Sequence, residues 1–441
     1  MLSDLICAVA TPPGRAALAL VRLSGRGAFD AARRVIRWES DREPEPRHAY
    51  LASFHETDGS PFDEGLIVFF PAPASYTGGD LVEFTCHGGL LTSSQLIGAL
   101  GAIGARMAHP GEFTRRAVAH GKIDLIQAEA VADLIDATTR AQGRAALRQL
   151  NGGLSRRLTG LRDRLVDLLA LLAYDIDFPE EDDGPVDRTA VAAALLVSTE
   201  AIAGLLETAN LGERVRRGAL VVIAGRPNAG KSSLFNALLG TERALVTEIA
   251  GTTRDTIEAD LDLDGYAVRI ADTAGLQSSE DRIERLGIDV SRRYLAAADL
   301  ILLCIVIGLE PTEEERLLGG QPNTLTVRTK TDLSPTRALG VSAATGSGLG
   351  ELKRSLIDRL YGEVESHGDT DPLVTRERHR QSLAAALAAL RDAEPEAAAG
   401  GDAVLAAHHV RRAMTSLDEL LGAVDVEEVF GRIFERFCVG K

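Results

Sequence analysis

The run Gly225-Arg226-Pro227-Asn228-Ala229-Gly230-Lys231-Ser232 has the spacing GxxxxGK[ST]. That spacing suits phosphate binding. The glycines let the backbone curl so that several N–H groups converge on anionic oxygens, and a helix starting there adds the positive end of its dipole. Lys231 would neutralise β- and γ-phosphates, and the Ser232 hydroxyl is placed for magnesium. The flanks agree: residues 220–224 (LVVIA) read as a buried strand and residues 233–239 as a helix, with Ala229 and Ser233 inside the cradle.

Later residues complete a nucleotide site in chain order. Gly251-Thr252-Thr253-Arg254-Asp255 stands where a switch loop would carry a second magnesium-binding threonine. A strand at 268–271 ends in Asp272-Thr273-Ala274-Gly275; Asp272 would hold magnesium through water and the Gly275 amide would sense the γ-phosphate. Residues 300–307 are almost wholly aliphatic, as a parallel strand covered on both faces should be. A further strand at 325–328 leads into Thr329-Lys330-Thr331-Asp332, and Val341-Ser342-Ala343-Ala344 follows. A carboxylate at 332 accepts from N1–H and N2–H₂ of guanine together, and adenine offers no such pair. Lys330 would lie along the base and the Ala343 amide would reach O6. The position usually held by Asn is Thr329. Leu276 follows the DTAG element where Ras-like enzymes place a water-orienting glutamine, and Gln277 is one residue on. Hydrolysis therefore uses another device, or the protein is only a switch.

These residues need strands and helices to hold them. The chain of 441 residues is too long for one ordinary core. Residues 1–118 mix short apolar runs with turn signals and read as an α+β domain. From about residue 120 the period lengthens, and Leu154, Leu158, Leu161, Leu165, Leu168 and Leu172 form one helical stripe. Similar spacing returns at Leu383, Leu387 and Leu390, then at Val410, Met414, Leu417 and Leu421. Between them strands alternate with helices. The expected layout is 1–118, a helical domain split into 119–215 and 366–441, and an α/β domain at 216–365 inserted within it. The helical halves would pair with one another or across a dimer. Charged, Pro-containing stretches at 38–48, 178–187 and 362–372 read as loops or linkers.

Bulk properties restrict the function classes. The net charge of −16 excludes a surface that is basic everywhere, so nucleic-acid contact must be local or supplied by a partner. No CxxC pair suggests zinc or a disulfide framework, and no basic-then-apolar start suggests a signal peptide, so a cytoplasmic protein is expected.

The motifs together resemble one family, MnmE (also called TrmE), the tRNA-modification GTPases of bacteria and organelles. The resemblance rests on GRPNAGKSSLFNALLG, on AGTTRD, and on DTAGL followed by Ile283-Glu284-Arg285-Leu286-Gly287-Ile288. It extends over the whole chain: Ala10-Thr11-Pro12-Pro13-Gly14-Arg15, Ser75-Tyr76-Thr77-Gly78, His87-Gly88-Gly89, Pro110-Gly111-Glu112-Phe113-Thr114, and the final Phe437-Cys438-Val439-Gly440-Lys441. Gly79 stands where an acidic residue is common, and Val439 replaces the usual isoleucine.

The resemblance implies a multidomain α/β and α+β fold. Its parts would be an N-terminal folate-binding and dimerisation domain, a helical domain, and an inserted Ras-like P-loop GTPase domain whose parallel-rich sheet is flanked by helices. It implies a homodimer without membrane association, acting with the flavoprotein MnmG in a heterotetramer. The product would be a carboxymethylaminomethyl or aminomethyl group at C5 of the tRNA wobble uridine. GTP, magnesium, potassium and a tetrahydrofolate derivative (5-formyl or methylene form) would serve it. Asn228, Thr247, Ile249 and Thr252 match the potassium positions, and Ser232 and Thr253 those of magnesium. Glu248 and Ala250 complete the switch, Glu284 matches the glutamate that orients water, and Lys231 the phosphate lysine. Arg22, Glu83, Lys122 and Lys441 match folate-contacting positions. A basic group suits folate's glutamate tail and a carboxylate suits its pterin. Cys438 matches a thiol near the modification chemistry.

Plainer readings stand beside these. Arg22, Glu83 and Lys122 alone are ordinary charged residues, Cys438 a small packed hydrophobe, and Arg140, Arg144, Arg148, Arg156 and Arg157 more a solvated face than a tRNA contact. A ribosome-assembly GTPase would add a basic RNA module such as KH, and no basic GXXG segment follows residue 362. A folate-dependent transferase regulated by GTP is the third reading.

Overall fold

The computed structural model describes residues 3–38, 44–177, 187–241, 258–272, 293–366, 373–398 and 400–422, with 433, 437 and 440. The chain forms two compact units, residues 1–132 with 417–441, and residues 133–416.

The first unit is built on β1 (Ile6–Val9), β2 (Leu18–Ser24), α1 (Ala28–Val35), β3 (Ile36–Arg37), β4 (Ala49–His55), β5 (Pro61–Phe70), β6 (Leu81–His87), α2 (Leu90–Ala102), β7 (Arg106–Met107), α3 (Glu112–Ala119) and the start of α4 (Leu125–Asp136). The strands make one sheet in the order β3-β4-β5-β6-β2-β1-β7, antiparallel except where β7 joins β1. Alternation decides the faces: Val82, Phe84 and Cys86 of β6 point to a core that includes Val21, Leu23, Ile67 and Phe69, with residues of α1 and α2 over it. The other face is covered at one end, where Ile6, Ala8 and Leu81 meet Phe113 of α3. Further along that face Leu18, Leu51 and Leu66 remain exposed.

The second unit contains α5 (Arg140–Leu150), α6 (Gly153–Asp177), α7 (Arg188–Glu207), α8 (Ala209–Arg217), β8 (Ala219–Ala224), α9 (Lys231–Thr241), β9 (Glu258–Leu263), β10 (Tyr266–Asp272), β11 (Leu300–Val306), α10 (Glu313–Gly319), β12 (Thr324–Thr329), β13 (Gly340–Val341), α11 (Leu349–Ser366), α12 (Glu377–Ala397) and most of α13 (Ala403–Leu421). Its six-stranded sheet runs β13-β12-β11-β8-β10-β9, parallel except for edge strand β9. Both faces are packed. Val221 and Ile223 of β8 join one core with Leu234, Leu352 and Leu356, while Leu220 and Val222 join another with Ile301 and Leu303. That is why these strands are aliphatic at successive positions.

The leucine stripe of α6 is buried throughout, from Leu154 to Leu172. Helix α12 packs along α7, so the two sequence-distant helical stretches meet within the chain. On α13 Val410, Ala413, Leu417 and Leu420 are buried, with Ala406 and Ala407 before them, whereas Met414 and Leu421 are only half-buried. The stretch Arg188–Arg217 is long and apolar enough to cross a membrane by length and composition alone. It is two helices meeting at Thr208, with α7 packed against α6 and α12.

Candidate functional site

Strand β8 ends at a loop whose backbone demands its glycines. Gly225 has φ +137°, and a Cβ there would sit 2.4 Å from the Cys304 carbonyl oxygen. Gly230 has φ +86°. Between them Asn228 takes the left-handed conformation at φ 61°, with its side chain exposed at the loop tip. A short-chain amide residue tolerates that conformation better than most. Lys231 opens α9 and is 7% exposed. Its Nζ donates to the carbonyls of Gly225 at 2.7 Å and Arg226 at 3.0 Å, which aligns the ammonium with the loop. Ser232 Oγ donates to Asp272 Oδ2 at 2.7 Å. Asp272 ends β10 and is 1% exposed. A hydroxyl and a carboxylate in contact are oxygen donors suited to a hard divalent cation.

The base-reading segment lies against this loop. Thr329, at the end of β12, donates from Oγ1 to the Ala229 carbonyl at 2.7 Å. The threonine that departs from the usual asparagine thus ties the strand to the phosphate loop. Lys330 is left-handed at φ 59°, and its Cε lies 4.0 Å from where a Gly230 Cβ would be. Ser342 follows β13 fully buried, and its hydroxyl donates to Asp332 Oδ1 at 2.6 Å. Ala343 and Ala344 come next, half-buried and exposed. Ser233 is exposed on the first turn of α9. The structure therefore brings together Asn228, Ala229, Gly230, Lys231, Ser232, Asp272, Thr329, Lys330, Asp332 and Ser342. Thr247, Glu248, Ile249, Ala250, Gly251, Thr252, Thr253, Thr273, Ala274, Gly275 and Glu284 lie outside the described residues, as do Cys438 and Lys441.

Sequence reasoning missed one partner of the loop. Arg226 forms an ion pair with Glu315 of α10, with Nη2 and Oε2 2.5 Å apart. Thr312-x-x-Glu315 is legible as a helix-capping pattern, but nothing local tells that its carboxylate also meets Arg226.

A second polar cluster sits on the partly covered sheet face of the first unit. Arg22 of β2 and Glu83 of β6 are directly opposite in register, with Arg22 Nε 2.9 Å from Glu83 Oε1. Arg22 Nη1 donates to the Gly440 carbonyl at 3.3 Å, and its guanidinium carbon lies 5.5 Å from the centre of the Tyr76 ring. Burial pushes the Tyr76 phenol up, and its oxygen bonds Thr114 Oγ1 at 2.8 Å. Lys122 is exposed and donates to the Pro73 carbonyl at 3.1 Å. Its Cγ lies 3.1 Å from where a Gly78 Cβ would be, so the loop bearing Tyr76 against Arg22 also meets Lys122. The Arg22–Glu83 pair puts a guanidinium and a carboxylate at one place on this sheet face. Gly440 has φ +101° and lies so close to the Val9 carbonyl that a Cβ would sit 2.5 Å from its oxygen.

The arginines of α5 and α6 behave as a surface: Arg140, Arg144, Arg156 and Arg157 are exposed and Arg148 is half-buried. Among the described residues no group of three or more His, Cys, Asp or Glu is arranged to hold a metal ion.

Two family descriptions match the chain. The GTP-binding protein TrmE N-terminus matches residues 5–122, and the MnmE helical domain matches residues 125–438. The chain belongs to the MnmE family. The tRNA modification GTPase MnmE of Azoarcus sp. (strain BH72) is 41% identical over 99% of this chain and 98% of its own length. The MnmE proteins of Hyphomonas neptunium (42%, 99% of each chain) and Phenylobacterium zucineum (43%, 100% of each chain) are similar to the same extent. As an MnmE-family member the chain is a GTPase, and its multidomain α/β and α+β fold is that of the family.

Proposed function

We propose that this protein is a potassium-activated GTPase of tRNA modification. With the flavoprotein MnmG it would form the carboxymethylaminomethyl or aminomethyl group at C5 of the wobble uridine, the one-carbon unit coming from a tetrahydrofolate. The observation that carries the reading is the joined set Lys231, Ser232–Asp272, Thr329–Ala229 and Ser342–Asp332, inside a chain alike over its full length to tRNA modification GTPases.

The residues divide the work as follows. The loop N–H groups and Lys231 bind phosphates, Lys231 exchanging loop carbonyls for phosphate oxygens. Ser232 and Asp272 hold magnesium, with Thr253 as the second threonine. Asp332, oriented by Ser342, accepts the guanine donors; Lys330 and Ala343 flank the base. Asn228 offers an exposed amide oxygen for potassium, joined by Thr247, Ile249 and Thr252. When bound, that cation neutralises charge developing between the phosphates, the part an arginine plays elsewhere. Glu284 orients water in place of the glutamine that Leu276 displaces.

Arg22, Glu83 and Tyr76 offer a cation, an anion and an aromatic plane side by side, which suits a pterin better than a hydrocarbon. Lys122 and Lys441 would meet the anionic tail, and Cys438 would stand beside the modification chemistry. The homodimer reading is supported by the exposed leucines of the sheet face, where Leu51 and Leu66 are cross-strand partners at 61% and 43% exposure. We place the domain limits at 118, 215 and 365 and the protein in the cytoplasm. A nucleoside profile of tRNA from a deletion strain tests the reading: loss of the wobble-uridine group, restored by the gene, supports it, and an unchanged profile rejects it.

A further inference from the structure

Arg226 occupies the second position of the phosphate loop, where a guanidinium has the length to reach bound phosphates. It is turned the other way. Its Nε donates to Glu315 Oε1 at 3.0 Å, and its Nη2 to Glu315 Oε2 at 2.5 Å and to the Glu310 carbonyl at 2.7 Å. The backbone N–H of Arg226 also points to Glu315 Oε1, at 3.3 Å. Glu315 is 6% exposed and closes the capping box of α10: the Thr312 N–H donates to its Oε2 at 3.0 Å, and its own N–H donates to Thr312 Oγ1 at 3.2 Å. The same segment is tied to the base-reading strand, because Arg328 Nη1 of β12 donates to the Leu309 carbonyl at 2.9 Å. Thr329, next in the chain, holds Ala229. Residues 309–315 thus bridge the phosphate loop and the strand that carries the guanine motif.

We propose that Glu315 is a positioning residue for nucleotide binding, which holds Arg226, and with it the first turn of the phosphate loop, in the conformation that receives phosphate. The proposal rests on the reading that residues 225–232 bind GTP. The Arg226 backbone is held through its N–H by Glu315, and through its C=O by Lys231 and by the Ala229 N–H at 3.2 Å. Lys231 must release that carbonyl to meet phosphate, whereas the Glu315 tether persists. The hydrogen bonds from Arg226 hold the Glu315 carboxyl down at about 2, so it is ionised wherever the enzyme would be assayed. The guanidinium is meanwhile kept off the phosphates, leaving that side of the loop to Lys231 and Asn228.

The substitution Glu315→Gln separates this role from helix stability, because glutamine also serves a capping box. With the full-length protein, dissociation constants for GDP and GTP are both expected to rise about 5- to 10-fold, and KM with them, while kcat stays within about twofold, since the interaction is equal in ground and transition states. Arg226→Met leaves α10 untouched and is expected to weaken binding by the same factor, and the double variant no further. Thr312→Ala removes the cap without touching Arg226, so it should lower Tm and leave nucleotide affinity alone. Unchanged affinity in Glu315→Gln overturns the proposal. So does a fall in kcat at constant KM in Arg226→Met, which would mean that the guanidinium reaches phosphate. Absence of GTP binding by the unaltered chain would overturn the nucleotide reading itself.

Discussion

Asp332 carries the proposed choice of base. A carboxylate can accept two guanine N–H donors at once only when held in one orientation, and the 2.6 Å bond from Ser342 does that. Asp332→Asn turns one acceptor into a donor that opposes guanine and suits the extra carbonyl of xanthine. GTP affinity is expected to fall by about 100-fold, the scale of a lost charge-assisted pair, and XTP binding to appear in a nucleotide titration. Retained GTP affinity would place the base elsewhere. In the other unit, burial would raise the Glu112 carboxyl, but Arg106, the His109 N–H and Arg116 hold it down at about 2. A lowered carboxylate stabilises the fold above its unfolded value and loses that contribution as pH falls through the folded one. Stability should therefore decline between about pH 4.5 and 2, and Glu112→Gln should flatten the decline, by on the order of 2 kcal/mol after discounting for the partly exposed Arg106. Acid titration followed by circular dichroism measures it; an identical curve for the variant would remove Glu112 from the account. The residue types of the nucleotide site were legible because loop chemistry is local. The pairing of Arg22 with Glu83 was not, since register across two strands decides it.

The elements were legible where periodicity is strong. The aliphatic runs of β8 and β11 gave buried strands, and the α6 leucines gave a buried stripe, because packing on both faces of a sheet or along one helix face leaves no polar alternative. Helix α13 shows the limit: Met414 and Leu421 have the right spacing, but Ala413 and Leu420 turn to the core, since alanine and leucine satisfy a face without marking it. Local sequence also says nothing of Tyr361 on α11. Its hydroxyl accepts the Ala219 N–H at 3.0 Å and donates to the Ala267 carbonyl at 2.7 Å, joining the starts of β8 and β10. Tyr361→Phe leaves both backbone groups buried without that partner, and is expected to cost about 1–3 kcal/mol in chemical denaturation. A cost near zero would mean that the strands hold without it. Gly225→Ala is a harsher change, because its Cβ would meet the backbone of β11 at 2.4 Å. Nucleotide binding should be lost while the helical layer still melts cooperatively; retained binding would show that the loop has a second usable path.

At the scale of the molecule, the α/β segment is held at both its ends by the helices around it. Arg216 Nε donates to the Thr375 carbonyl at 2.9 Å, the Val374 N–H donates to Thr208 Oγ1 at 3.1 Å, and Gln149 Nε2 reaches Thr375 Oγ1 at 2.8 Å. The hairpin turn between β9 and β10 meets the start of α5, where the Ala141 N–H donates to the Gly265 carbonyl at 2.9 Å. Strand β10, which starts at that turn, ends in the proposed magnesium aspartate, Asp272. The sequence showed an insertion by its change of period, and the tethers that close it join residues far apart in the chain. In the proposed mechanism a monovalent cation at Asn228 does the catalytic work that Leu276 cannot. The most direct test is GTP hydrolysis by the purified protein in potassium and in sodium at equal ionic strength, with Asn228→Ala beside it. Hydrolysis at least about tenfold faster in potassium, with the difference abolished in the variant while GDP still binds, is the predicted result. Equal rates in the two salts would contradict it.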